Sequence, residues 1–579
     1  MQFYTFKNIP YAAPPVGPLR WREPQPPVVN TTLIDGSYGP SCIQTGIGDP
    51  KNIQGFTGPT SEDCLYLDVY VPGDALRSND TKPLPVIHWF YGGGYVYGTK
   101  DLYTGLNLLQ TSRNSIIFIA SNYRLGALGF LGGSTQERLG LPNAGFHDMR
   151  AALNWTATHI QLLGGDPGAV TAFGESAGAG GILHLITAEG GTLDPFFRHA
   201  VLQSPAFDTR WDRGGRVEEL FANFSAAAGC SGGAQDEGEE QVMQCLRAAD
   251  PEKLREANDA CAYTPYKERS AYQPVADGRF VRQAAALELA AGRAWKGLDS
   301  VLLSHVRDEA ASYVDDGVKT DADFDRYMTY YYPVDGVPEA IAQRYPGPDA
   351  ENGTYGSEGD RLKDVLAASR FVCNIRFLAD ALLNGTTTTT TTTTRVWNMQ
   401  YSAPPGTHGA DVLPSFFFPS LISTNATADF VDGYRSLLTS LAMAGDPNTF
   451  KRNNSVPRIP AWPQVDNSSD AFGNVLDVDL FEMELVSDEQ NRRSVCDFWI
   501  EVAAAVTNAG GYAPPGSVVG QGLVPENGNA SRNFVTPSAP VNGSTPGSPS
   551  STPSAGTALA ASWKLFVPVV LTTLVIYSI

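Results

Sequence analysis

Ala169-Val-Thr-Ala-Phe173-Gly174-Glu175-Ser176-Ala177-Gly178-Ala-Gly-Gly-Ile-Leu-His-Leu-Ile186 is the stretch on which the fold turns. Ala169–Phe173 is short, apolar and β-branched enough to be a buried strand, and Ala177–Ile186 is long enough for a helix. Between them, Gly174-Glu-Ser176-Ala-Gly178 matches G-x-S-x-G. That is the sharp strand-to-helix turn that lifts a serine hydroxyl above the end of a parallel sheet. Small residues flank it because backbone crowds such a turn from several sides. Ser176 is therefore the candidate nucleophile. A second match, Gly229-Cys-Ser231-Gly-Gly233, precedes the acidic Asp236-Glu-Gly-Glu-Glu240 in a loop between cysteines, so Ser231 is set aside.

Working outward, Val86–Phe90, Ser115–Ala120, His199–Gln203 and Ser300–Ser304 read as further buried strands, and Asp148–Ile160 as a helix. Continuous apolar strands alternating with helices imply a mostly parallel sheet with helices packed on it. Tyr91-Gly92-Gly93-Gly94-Tyr95 follows the first of these strands. Acyl transfer builds negative charge on the carbonyl oxygen, and backbone N–H groups brought close by glycine stabilise it. The candidate donors are the N–H groups of Gly93, Gly94 and Ala177.

A serine nucleophile needs an imidazole base and an acid to orient it, in the chain order serine, acid, histidine for this kind of turn. Of seven histidines, His88, His147 and His159 precede the serine. His184 lies in the helix after it, and His199 opens a strand. His305 has no acid suitably placed before it. His408 stands late, in Ala403-Pro-Pro-Gly-Thr-His408-Gly-Ala-Asp411, after Val396–Tyr401, which reads as the last core strand. His408 is the candidate base, and activity is expected to fall as it protonates, near or below the ordinary value of about 6.5. The acid belongs in the loop after Ser300–Ser304. There the residues alone leave Asp308 and Glu309 equally open.

The full chain of 579 residues carries 41 Lys and Arg against 61 Asp and Glu, a net charge of −20, which argues against nucleic acid as a partner. Its 42% hydrophobic residues suffice for a large core. Seven cysteines without a CxxC pair argue against a zinc ribbon or a thioredoxin-like site, and no metal or organic cofactor is expected. Eleven N-x-S/T sequons occur, where chance at this composition gives roughly 4–5. That excess, with scattered cysteines, points to the secretory route. The N-terminus has no charged segment followed by an apolar one, so the true start is expected to lie upstream. Nine threonines, Thr386–Thr394, read as a surface loop insertion.

The assembled motifs resemble the type-B carboxylesterase family, which includes cholinesterases and fungal lipases. The resemblance covers roughly residues 1–505. It rests on Phe6-Lys-Asn-Ile-Pro-Tyr-Ala12 through Pro14-Pro-Val-Gly17, Glu62-Asp-Cys-Leu-Tyr-Leu67, Asn122-Tyr-Arg-Leu-Gly126, Asn143-Ala-Gly-Phe-His-Asp148, Gly164-Gly-Asp-Pro167, Phe173–Gly178 and Gly445-Asp-Pro-Asn448. It implies an α/β-hydrolase fold, a mostly parallel central sheet with helices on both faces. It also implies a serine esterase that cleaves small-molecule carboxylic esters through an acyl-enzyme, with lipase action on longer chains and a non-catalytic adhesion protein as the rivals. It assigns Ser176, Glu309 and His408 as the triad, although Val306 and Ala310 depart from the family's usual asparagine and glycine. Glu175 is expected to lie buried beside the site. The resemblance pairs Cys42 with Cys64, Cys230 with Cys245 and Cys373 with Cys496, and leaves Cys261 over. The loop that holds a choline-binding tryptophan in cholinesterases contains, between Cys42 and Cys64, only Phe56 as an aromatic residue.

The α/β-hydrolase domain is expected over 1–510. Residues 511–556 read as a Pro/Gly/Ser/Thr stalk. Ser554-Ala-Gly556, the eight-residue spacer Thr557–Lys564 and the apolar run Leu565–Ile579 have the pattern of a GPI attachment signal over 557–579, with Ser554 as the attachment residue. The partner would then be the outer leaflet of the cell membrane.

Overall fold

The computed structural model describes residues 3–509 except 29–33, 46–57, 78–81, 207–209, 213–214, 231–237, 265, 267–269, 385–393 and 418–425. The stalk, the tail with Ser554, Ser231 and most of the threonine run lie outside the described residues.

Ten strands form one sheet: β1 Phe3–Pro10, β2 Tyr66–Pro72, β3 Leu84–Phe90, β4 Ile117–Ser121, β5 Gly165–Glu175, β6 His199–Gln203, β7 Ser300–Val306, β8 Arg395–Tyr401, β9 Phe472–Val478 and β10 Met483–Asp488. Their order across the sheet is β1-β2-β4-β3-β5-β6-β7-β8-β9-β10. The run from β4 through β9 is parallel throughout, and antiparallel pairs occur only at the two ends. The described helices used below are α1 Leu106–Thr111, α2 Ala144–His159, α3 Ala177–Gly191, α4 Cys373–Leu383, α5 Val412–Phe416, α6 Ala428–Ala444 and α7 Arg493–Ala509.

Consecutive residues of β3 show both faces covered, because side chains alternate along a strand. His88 bonds Thr156 of α2 at 3.0 Å on one face. Trp89 packs its ring 4.5 Å from Phe416 of α5 on the other. With no wet face, the central strands carry no polar alternation, which is why they read as unbroken apolar runs.

Val396–Tyr401 is not the last strand. β9 and β10 follow it and extend the sheet to its edge. They escaped the sequence reading because β10 is half solvated and β9 carries Asn474 and Asp477 among its apolar residues. Three disulfides join Cys42–Cys64, Cys230–Cys245 and Cys373–Cys496, and Cys261 is free, as the resemblance implies. The third ties α4 to α7. Among the described residues, no helix is long and apolar enough to cross a membrane, and no cluster of ligating side chains suits a metal ion.

Candidate active site

The turn at the end of β5 is built by exclusion of side chains. Ser176 has φ 55° and ψ −125°, a strained conformation held by its neighbours. A Cβ on Gly178 would lie 2.1 Å from the Phe90 carbonyl oxygen, and one on Gly180 only 1.5 Å from that of Ala206. Helix α3 therefore approaches β3 and the loop after β6 more closely than any larger residue permits.

The elbow delivers Ser176 Oγ to His408 Nε2 at 2.8 Å. Nδ1–H of His408 donates to Glu309 Oε2 at 2.6 Å. The other oxygen of Glu309 accepts the Val306 backbone N–H at 2.9 Å, so both carboxylate oxygens are engaged. Glu309 is wholly buried, while Ser176 and His408 are nearly so. Asp308 goes elsewhere: its backbone N–H bonds the Gly406 carbonyl and pairs the acid loop with the histidine loop. Asp308 and Glu309 are thus separated by which one the end of β7 turns inward.

The loop Gly92–Gly94 lies against this triad. A Cβ on Gly92 would stand 2.8 Å from Ser176 Cβ and 2.5 Å from Glu175 Oε2. Gly93 has φ +109°, and a Cβ there would meet the Tyr97 carbonyl oxygen at 2.1 Å. Among the described residues, the N–H groups of Gly93, Gly94 and Ala177 donate to no backbone carbonyl. They remain available to a ligand oxygen.

Two further carboxyls crowd the imidazole. Glu175 Oε1 lies 3.4 Å from His408 Nε2. Burial pushes the Glu175 carboxyl up to about 7, against the pull of His408. Asp411 is wholly buried, neither of its carboxyl oxygens has a partner among the described residues, and burial raises it well above the carboxylate range. Burial opposes a charge on His408, but the adjoining Glu309 outweighs it, with Glu175 and Asp411 adding, and the imidazole is raised to about 9. The imidazole is thus more basic than the ordinary value of about 6.5 implies.

Aromatic rings complete the walls. Phe371 stands 4.6 Å and Tyr313 5.4 Å from the His408 ring. Phe371 belongs to the wide helical turn Ala368–Val372 that leads into α4, a departure from α-helical spacing of the kind that re-aims side chains at functional sites. Sequence reasoning missed Asp411 as a site residue, though it stands three positions after His408. It also missed Phe371, for which the sequence carries no signal.

A cavity of about 420 Å³ between Trp211, Arg216, Tyr330 and Cys261 does not include the triad. The triad instead lies at the carboxyl ends of the parallel strands, where ligands of open α/β sheets bind.

Residues 1–499 match the carboxylesterase family. The chain is 39% identical to a secreted lipase of Arthroderma benhamiae over 85% of its own length and 93% of that protein. It is 28% identical to the carboxylesterase patB of Penicillium expansum over 80% of its own length and 87% of that protein. Among solved structures it resembles Aspergillus niger EstA with a TM-score of 0.72 at 25% identity, covering 87% of this chain and 95% of that one. With its sheet order, its strained serine turn and these likenesses, the chain belongs to the carboxylesterase family.

Proposed function

We propose that this carboxylic-ester hydrolase works through Ser176, His408 and Glu309, with Gly93, Gly94 and Ala177 as oxyanion donors. The observation that carries the reading is the unbroken hydrogen-bond chain of 2.8 and 2.6 Å from Ser176 through His408 to Glu309. His408 takes the proton of Ser176 as Oγ attacks the acyl carbon, and the carbonyl oxygen gains negative charge against the three N–H groups. The imidazolium then gives that proton to the leaving alcohol, and the ester C–O bond breaks. Water attacks the acyl-enzyme, His408 again takes the proton, and the carboxylic acid leaves as Ser176 is restored. Glu309 holds the imidazole in the Nδ1–H tautomer and balances its charge. Glu175 and Asp411 supply the polar surroundings of that histidine.

Neutral esters of short to medium acyl length are the substrates this reading favours. A lipase reading is favoured by the likeness to the Arthroderma benhamiae protein, whose name is secreted lipase. Only 21 residues separate Cys42 from Cys64, which leaves little chain for a long lid over the site. Rates on esters of graded acyl length, in solution and as an emulsion, decide between them. An esterase cleaves the soluble short esters fastest, whereas a jump in rate once an interface forms identifies a lipase.

The secretory route is supported by the sequons, the three disulfides and the secreted relative. The finer localisation is also a proposal: residues 557–579 are a GPI attachment signal, Ser554 takes the anchor, and 511–556 hold the enzyme off the membrane.

A further inference from the structure

His305 has no part in the triad, yet it lies directly behind it. It is the penultimate residue of β7, wholly buried, and four residues before Glu309. Its Nε2 lies 2.8 Å from Asp488 Oδ2, at the end of β10, and its Nδ1 lies 2.9 Å from the carbonyl oxygen of Val306. A carboxylate and a backbone carbonyl both only accept. Both ring nitrogens must therefore carry hydrogen for both contacts to be bonds. Asp488 does not hold the proton instead. It already accepts from Asn398 Nδ2 at 3.2 Å and Asn491 Nδ2 at 2.5 Å, and from the backbone N–H groups of Gln490 and Asn491 at 3.0 and 3.3 Å. A carboxylate accepting this many hydrogen bonds is held ionised.

We propose that His305 is a positioning residue for the triad, a buried imidazolium that locks the end of β7 and thereby aims the Val306 N–H that holds Glu309. The inference rests on the assignment of Glu309 as the acid. Val306 is gripped on both sides: its carbonyl accepts from His305 and its N–H donates to Glu309 Oε1 at 2.9 Å. The ion pair crosses from β7 past β8, where Asn398 sits, to the end of β10, so the acid loop is fixed to the far edge of the sheet.

The charged groups facing His305 are few. Asp488 comes from β10 and Glu309 from its own loop. Asn398, on β8, is neutral. Arg376 of α4 is turned away to the carbonyls of Asp470 and Asn491 at 2.9 Å each. Burial opposes the charge on His305, but Asp488 outweighs it and the group is raised to about 9. The sign follows: a histidine raised in the folded state stabilises it fully below the ordinary value of about 6.5 and loses that contribution as pH rises through the folded value. Above about pH 9 the ring drops one of its two hydrogen bonds, and the grip on Val306 loosens.

The test compares wild-type enzyme, His305→Gln and Ser176→Ala on one soluble ester. Glutamine still donates to Asp488 but is never charged. The expected result is a fall in kcat of about 10-fold with KM unchanged, less than the ~100-fold that a misplacement of about 1 Å costs. The wild-type decline above about pH 9 disappears in the variant. A folded His305→Gln whose kcat and alkaline decline match wild type overturns the proposal. Turnover surviving in Ser176→Ala would instead overturn the triad itself, so the two failures are separable. Neutron diffraction of wild-type crystals near neutral pH gives an answer that needs no variant. Protons on both nitrogens of His305 are expected, and a bare nitrogen facing Asp488 or Val306 overturns the proposal.

Discussion

Replacing Glu175 by glutamine tests the electrostatics of the site at one atom. Glu175 Oε1 is 3.4 Å from His408 Nε2, the nitrogen that must be unprotonated to accept from Ser176. Two unit charges at that distance interact by about 5 kcal/mol at an effective dielectric constant of about 20, an upper limit of 3–4 pH units. The realised effect is smaller, because structural relaxation and the surrounding polar groups screen the pair; Glu175, raised to about 7, is charged where His408 titrates at about 9. The two groups titrate as a coupled pair. Removing the negative neighbour disfavours imidazolium, so the neutral base survives to lower pH. The acid limb of kcat/KM should begin above pH 6.5 in wild type and move down by about 1 unit in Glu175→Gln. Titrating released acid at fixed pH, from about pH 5 to about pH 10, measures this without a pH-sensitive chromophore. An acid limb that stays put or moves up would refute the electrostatic reading.

Removing the Cys373–Cys496 bridge, which closes a separation of 123 residues, should destabilise the enzyme to chemical denaturation by about 3–5 kcal/mol. Glu309→Gln should lower kcat by about 10⁴-fold while leaving the fold intact by circular dichroism, since it spoils the His408 tautomer rather than the packing. Choline esters should be cleaved no faster than neutral esters of the same shape, because the 42–64 loop offers no tryptophan for a quaternary ammonium; competition between the two substrates measures the preference. Phospholipase treatment of expressing cells should release active esterase, and activity that stays with the membrane on a chain still carrying Leu565–Ile579 would exclude the GPI anchor.

The sequence exposed those parts of the site that rest on local geometry. Ser176 is legible because its turn needs Gly174, Gly178 and Gly180, and small residues in a fixed pattern leave a motif. His408 is legible because chain order and a Pro/Gly loop isolate it from six other histidines. The choice of Glu309 over Asp308 is different. It depends on the Val306 N–H and on how β7 ends, a relation between backbone and side chain that composition does not encode; only the family resemblance supplied it. Asp411 and Phe371 are less legible still. Asp411 reads as a loop acid, and its burial follows from the packing of α6 and β6 around the His408 loop. Phe371 faces His408 from a helical turn wider than its neighbours, and no motif marks such a turn. His305 bonds Asp488 rather than Ser176, and that ion pair is invisible in the sequence because β10, half solvated, does not read as a strand.

The central claim is that Ser176 is the nucleophile, activated by His408. Incubating the enzyme with a fluorophosphonate and sequencing the labelled peptide by mass spectrometry tests it directly. The account predicts a single phosphonylated serine, Ser176, with activity lost in step with labelling and neither labelling nor turnover in Ser176→Ala. Label on another serine, or full ester hydrolysis by Ser176→Ala, would contradict it.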